Sequence, residues 1–289
     1  MRTQSEINDA YNAGRVIQRS FTKNVTVSTV AGVAQDLSGV PGNPVAQYYL
    51  GAANTSTAMS YLSNNKGLDC GGTMEGYQKF IHEIRLQTTI STIAPSVLEI
   101  YDYLMFYPFN EMTAGVLAMT QADILPRYSA RDGVQMMVVE QNPYVGGGTF
   151  QIGYTNQDGV SGRLTPFVRI NTATSAGTIA SSSPTLSGAT GDLIPLQDND
   201  YGVQQVDSIE FSSDDVGTVA IVLVKPIVSL FLYENTAPSE YDLWFHLGVL
   251  PEIKNDAYLN FVLKSGQAIT GSVANAIQGR ITAIWKQIT

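Results

Sequence analysis

Apolar and β-branched residues recur along this chain in short runs, many with the period of two that a half-buried strand requires. Residues 21–34 contain Val25-Thr26-Val27-Ser28-Thr29-Val30 and predict a strand. From Lys79 the runs become regular. Residues 79–89 alternate around Ile84 and Leu86, 97–106 are rich in tyrosine and stop at Tyr107-Pro108, and 133–140 are rich in Val and Met. Residues 149–154 and 163–170 flank Asn156-Gln157-Asp158-Gly159, a hairpin signal because glycine takes the positive-φ position. Further runs cover 203–211, 218–224, 227–233, 257–263 and 280–285, with Lys225-Pro226 expected to separate two strands. No long window keeps the 3.6-residue period of an amphipathic helix, so only short helices are expected, one in the first 20 residues and one near 57–63. The βαβ alternation of parallel-sheet proteins is missing, and no segment repeats at a fixed period. The pattern predicts an all-β protein, an antiparallel β-sandwich or jelly-roll with few short helices and an extended N-terminal arm.

The expected organisation is a 1–78 arm or subdomain followed by a 79–289 sandwich domain. The turn cluster Val40-Pro41-Gly42-Asn43-Pro44 and the Ala, Ser, Asn and Gly-rich stretch 45–78 leave little regular structure in the first part. Deleting residues 1–40 is then expected to leave a soluble core. Residues 172–191 are Ser, Thr, Gly and Ala with little to bury, and predict an exposed loop or flap.

Composition narrows the classes. A chain of 289 residues can bury a large core without disulfides or metals. Only 14% of residues are charged, against about 25% in an average domain. Sixteen Lys+Arg against 25 Asp+Glu give a net charge of −9, which argues against direct nucleic-acid binding, since phosphates demand a cationic footprint. The most apolar run, 218–233, is shorter than the roughly 20 residues of a membrane helix. The polar start of the chain shows no signal peptide, and synthesis in a cytoplasm is expected. Cys70 is the sole cysteine, so no intramolecular disulfide can form, and it is expected to be an inert thiol.

No catalytic motif stands out. Two histidines, His82 and His246, are too few for a His-rich metal site, and a two-histidine site needs both to converge. Ordinary packing is expected for each. No Gly-x-Ser-x-Gly elbow is present. Asp192, Asp198, Asp200, Asp207, Glu210, Asp214 and Asp215 cluster in sequence. Asp198-Asn199-Asp200 could offer oxygen ligands to Ca²⁺, but the run lacks the glycine and final glutamate of an EF-hand, and solvated loop acids are expected. Gly146-Gly147-Gly148 lacks the Gly-Lys-[Ser/Thr] ending of a phosphate loop and is expected to form a hairpin loop. No enzyme activity and no cofactor are expected. Tyrosine is abundant, 15 against two tryptophans, and suits contact surfaces. Tyr48-Tyr49, just after Asn43-Pro44, makes these four residues the candidate interaction site.

Several stretches together carry a resemblance. They are Ala31-Gly32-Val33, Asp36-Leu37-Ser38 and Gly42-Asn43-Pro44 leading to Tyr48-Tyr49, then Leu125-Pro126-Arg127-Tyr128 with Gly133-Val134-Gln135. Tyr154-Thr155-Asn156-Gln157-Asp158-Gly159 with Gly162-Arg163, Val222-Leu223-Val224-Lys225-Pro226 and Asp256-Ala257-Tyr258-Leu259-Asn260-Phe261 complete the series. Over about residues 11–285 the chain resembles a family of tailed-bacteriophage virion structural proteins. The resemblance implies a subunit displayed on or built into the particle, assembled in the bacterial host cytoplasm, with no catalytic residues to transfer. A head decoration (cement) protein is expected, a homotrimer bridging neighbouring copies of the major capsid protein. A tail, neck or host-attachment component is the alternative, and an enzyme such as a polysaccharide depolymerase a third.

Overall fold

The computed structural model describes residues 3–61, 66–89, 93–172, 175–272 and 275–288. The all-β antiparallel expectation is met: three antiparallel sheets account for the fold, with two short helices among the described residues.

The central sheet is built on two long strands, β6 (Ser96–Glu111) and β13 (Thr218–Leu232), paired over nearly their whole length. It runs β2 (Ala34–Asp36), β16 (Leu259–Ser265), β6, β13, β8 (Gln135–Asn142), and β4 (Thr57–Ala58) also pairs with β6. Its two edges then meet through residues 177–180. The Thr178 carbonyl accepts from Glu140 N at 2.8 Å, and Ala180 N donates to the Val138 carbonyl at 2.8 Å. On the other side Asp36 N donates to the Gly177 carbonyl, and Ile179 N to that of Ala34. The sheet thereby closes on itself. One of its faces becomes an interior filled by Met59, Tyr101, Tyr103, Phe106, Val222 and Ile179, among others.

The outer face of this sheet carries the other two sheets, one at each end. The first contains β5 (Tyr77–Thr88), β17 (Ala276–Gln287), β1 (Val16–Asn24), β3 (Gly42–Asn43), β14 (Ser239–Asp242) and β15 (Glu252–Ile253). It packs Phe21, Ile84, Ile281 and Ile284 against Leu98, Ile100, Leu230 and Phe261. The second contains β9 (Thr149–Asn156), β12 (Val203–Phe211), β7 (Gly115–Ala118), β10 (Arg163–Leu164) and β11 (Val168–Arg169). It packs Phe150, Ile152, Val206 and Ile209 against Leu104, Tyr107, Ile221 and Leu223. The long pair β6–β13 thus belongs to both sandwiches. Register shifts at Leu223/Val224 and Pro226/Val228 keep the residues that face the outer sheets on one side along the whole strand.

Several sequence expectations are corrected. Lys225-Pro226 does not split β13; proline lies next to a bulge, where the missing N–H is tolerated. β6 likewise runs on through Pro108. The strand foreseen at 21–34 is shifted to 16–24, and the chain beyond it is irregular. The early helix forms as α1 (Gln4–Asn12), started by a Thr3/Glu6 capping box. Of the helix foreseen near 57–63, Thr57–Ala58 is β4, and residues 62–63 lie outside the described residues. The 1–78 segment is not a separable arm: β1 pairs with β17 from Val16↔Ile284 to Asn24↔Ala276, β2 completes the central sheet, and Phe21 lies 4.6 Å from Phe261, ring centre to ring centre. Of the loop foreseen at 172–191, residues 178–182 are buried and 177–180 pair with β8 and β2, whereas 184–188 are exposed as expected; residues 173–174 lie outside the described residues.

Candidate functional site

The candidate residues Asn43, Pro44, Tyr48 and Tyr49 lie in the 37–50 segment that follows β2, contains β3 and packs Tyr49 against the closed sheet. Asp36, the last residue of β2, fixes this loop from beneath. Its Oδ1 accepts from Ser38 N (2.9 Å) and the Tyr103 hydroxyl (2.7 Å), and its Oδ2 accepts from the Ser38 hydroxyl (2.5 Å) and the Tyr49 hydroxyl (2.6 Å). A carboxylate with four donors is fully satisfied although only 1% exposed. Burial and the Asp36 charge push both tyrosine hydroxyls well above their ordinary range, so they stay protonated donors. Lys23 of β1 is sealed behind the loop, with Nζ donating to the Val40 carbonyl at 3.3 Å. Burial lowers its pKa from 10.5 to about 8, against the opposing pull of Asp36.

The four candidates therefore differ in role. Tyr49 is committed to Asp36 and buried. Asn43 pairs with Thr22 of β1 and donates through Nδ2 to the Ser20 carbonyl at 2.6 Å, and Pro44 behind it is buried. The neighbouring Gly42 has φ +142°, and a Cβ there would stand 1.9 Å from the Thr22 carbonyl oxygen. Tyr48 points outward, 58% exposed, with Val45 and Leu50 exposed beside it in sequence. Tyr48, Tyr49 and Leu50 line a cleft of about 470 Å³, whose far wall is Phe109, Glu140, Gln141 and the 176–177 backbone. Gln141 ties the walls together, accepting from Phe109 N and donating to the Tyr49 carbonyl.

Glu140 is a residue the sequence reading missed. It is 2% exposed, and neither carboxylate oxygen makes a hydrogen bond. Burial raises its pKa from 4.5 to about 7. Lys23 and Asp36 were missed as well. A lysine between Thr22 and Asn24 reads as a solvent-facing strand residue, and nothing local announces its burial.

The other candidate groups resolve into structural roles. Both histidines do reach Asp242. His82 Nδ1 bonds the Tyr11 hydroxyl at 2.9 Å, its Nε2 lies 3.9 Å from Asp242 Oδ2, and His246 Nδ1 is 2.7 Å from the Asp242 carbonyl. Hydroxyl, imidazole and carboxylate follow the order of a nucleophile relay. Burial and the charges of Glu83 and Asp242 raise the Tyr11 pKa, which opposes activation. The contact docks α1 on β5. Among the described residues no group of three His, Cys, Asp or Glu side chains is placed to hold a metal ion. Asp200 Oδ2 accepts from Arg163 Nε (2.8 Å) and the Tyr154 hydroxyl (2.7 Å), and its Oδ1 from Asn156 Nδ2 (2.8 Å). Asp198 pairs with Arg163. The acidic run is thus largely engaged in loop structure. Gly146-Gly147-Gly148 links two different sheets instead of turning a hairpin, and the amides of Val145 and Gly146 are capped by Asp215. Cys70 is buried, which pushes its thiol up to about 12. No helix among the described residues is long and apolar enough to cross a membrane.

No protein-family model matches this chain, and neither a curated protein nor a solved structure matches it.

Proposed function

We propose that this protein is a structural subunit of a tailed-bacteriophage virion, a head decoration protein that binds across neighbouring capsid subunits. The observation that carries the reading is the rigid apolar rim of the 37–50 loop. Val45, Tyr48 and Leu50 stand in solvent on a backbone anchored from below by Asp36, Tyr49, Tyr103 and Gln141. Such side chains cost little ordering entropy when a partner covers them. Phe245, Leu247 and Val249 form a second exposed apolar group, on and after α2 (Leu243–Leu247). Apolar groups of this kind, on a surface with few charges, fit a subunit that is covered in use.

Quantitative mass spectrometry of purified particles tests the reading. Copies comparable in number to the major capsid protein are expected. A handful of copies would replace the head assignment with a tail or neck component, and absence from the particle would overturn the virion reading. Tyr48→Asp with Leu50→Asp is expected to leave the chain folded and to abolish its incorporation.

A further inference from the structure

Where the two sandwiches meet, the bulge of β13 opens a groove of about 540 Å³. Its floor is Lys225-Pro226-Ile227, one wall is the 128–132 loop, and the other is Pro251 to Lys254. Two cations converge there. The ammonium groups of Lys225 and Lys254 lie 5.7 and 5.9 Å from the centre of the Tyr128 ring. Lys254 pairs with Glu252 at the open edge, a contact of the weak, exchangeable kind. Lys225 makes no ion pair among the described residues. Its Nζ donates to the carbonyl oxygen of Asp132 at 2.6 Å, and burial lowers its pKa, with the Asp132 charge raising it and the Lys254 charge lowering it.

The loop is shaped around that ammonium. Gly133 has φ +67°, and a Cβ there would stand 2.3 Å from Lys225 Nζ. Tyr128 (φ 56°) and Arg131 (φ 62°) also occupy the left-handed region that bulky residues avoid. Strain of this sort persists where surrounding structure holds a loop in a set position. The groove therefore combines two lysine ammonium groups facing one aromatic ring with Ser129, the acidic residues Asp132 and Glu252, two prolines and an isoleucine in its lining.

We propose that this groove binds an acidic saccharide, with the sugar carboxylate between Lys225 and Lys254 and sugar hydroxyls donating to Asp132 and Glu252. A bare anion would meet the two carboxylates unfavourably, and a neutral sugar would gain nothing from the two ammonium charges, of which Lys254 holds only the exchangeable pair with Glu252 and Lys225 only a carbonyl oxygen. A ligand that carries one acid group and several hydroxyls satisfies both sets. The apolar faces of Pro226 and Pro251 suit the C–H face of a pyranose ring.

Titration calorimetry with glucuronate on the full chain tests the proposal. Saturable binding is expected at pH 7, weakened at least tenfold in Lys225→Met and in the more exposed Lys254→Met, and unchanged in Arg169→Gln. Glucose is expected to bind at least tenfold more weakly than glucuronate. Lack of saturable glucuronate binding would overturn the proposal. So would binding kept in a folded Lys254→Met variant, or equal binding of glucose.

Discussion

Glu140→Gln isolates the cost of the sealed carboxyl at the seam of the closed sheet. In the unfolded chain the group titrates near 4.5, and in the folded protein at about 7. Between these values the folded state holds a proton that the unfolded state has released. The contribution of Glu140 to stability is therefore largest below pH 4.5, falls as pH rises, and levels off above about 7. At about 1.4 kcal/mol for each tenfold change in proton affinity, less what solvent screening removes, the loss at pH 8 is at most about 3 kcal/mol. Glutamine has the same shape and no charge, so the variant escapes this loss. Urea unfolding at pH 5 and pH 8 reads the difference. Glu140→Gln is expected to be close to the wild type at pH 5 and more stable by about 2–3 kcal/mol at pH 8. Amide exchange at residues 177–180 is expected to slow at pH 8 in the variant, because these residues pair with β8 directly over the carboxyl. Equal pH dependence in the two proteins would refute the assignment of a raised pKa to Glu140.

Further outcomes follow from other buried groups. Arg127 holds Asp102 by two hydrogen bonds, at 3.0 and 2.7 Å, with Asp102 fully buried. Arg127→Met is expected to cost about 3–5 kcal/mol in denaturant unfolding, with partial recovery on adding Asp102→Asn. Gly42→Ala is expected to destabilise by at least about 1–3 kcal/mol, since the side chain collides with β1 at a positive-φ position; thermal melting measures it. Cys70, with its thiol pushed up to about 12, is expected to resist iodoacetamide at pH 8 until the chain is unfolded in urea. Deletion of residues 1–40 removes both β1 and β2 and is expected to yield an unfolded or aggregated product by circular dichroism, not a soluble core.

The parts of the fold that were legible in the sequence are those where burial alternates locally. β5 and β12 announce themselves because one face of each strand meets a core and the other does not. The 156–159 turn is legible because Asn156 Oδ1 accepts from the amides of Asp158 and Val160 and Gly159 takes φ +79°, a purely local device. What stayed hidden depends on partners far along the chain. Residues 177–180 carry a single large apolar side chain, Ile179, in a Ser, Thr, Gly and Ala-rich stretch, yet they close a sheet between β8 and β2, some 40 and 140 residues away in sequence. Lys23 is buried only because the loop from Ser38 to Val40 folds over it. The candidate loop was found through its turn residues and paired tyrosines. Its division into one outward tyrosine and one committed to Asp36 could not be read, because Asp36 and Tyr103 meet only in the folded sheet.

The low charge content takes on a different meaning once the acids are located. Asp36, Asp102, Asp123, Asp200, Asp215 and Asp242 do not form a charged coat; each accepts hydrogen bonds that pin a loop or a helix start. The net charge of −9 therefore includes several carboxylates committed to holding connections between sheets, and hydroxyl, amide and glycine residues outnumber charged ones at the exposed positions. Against that surface, an apolar rim at Val45, Tyr48 and Leu50 has few ions to strip of water when a partner covers it. A shared central sheet, closed on itself and packed at both ends, gives the rim a stiff base. Stiffness and cheap desolvation together favour a contact repeated many times in register, which is what a particle coat demands of each copy.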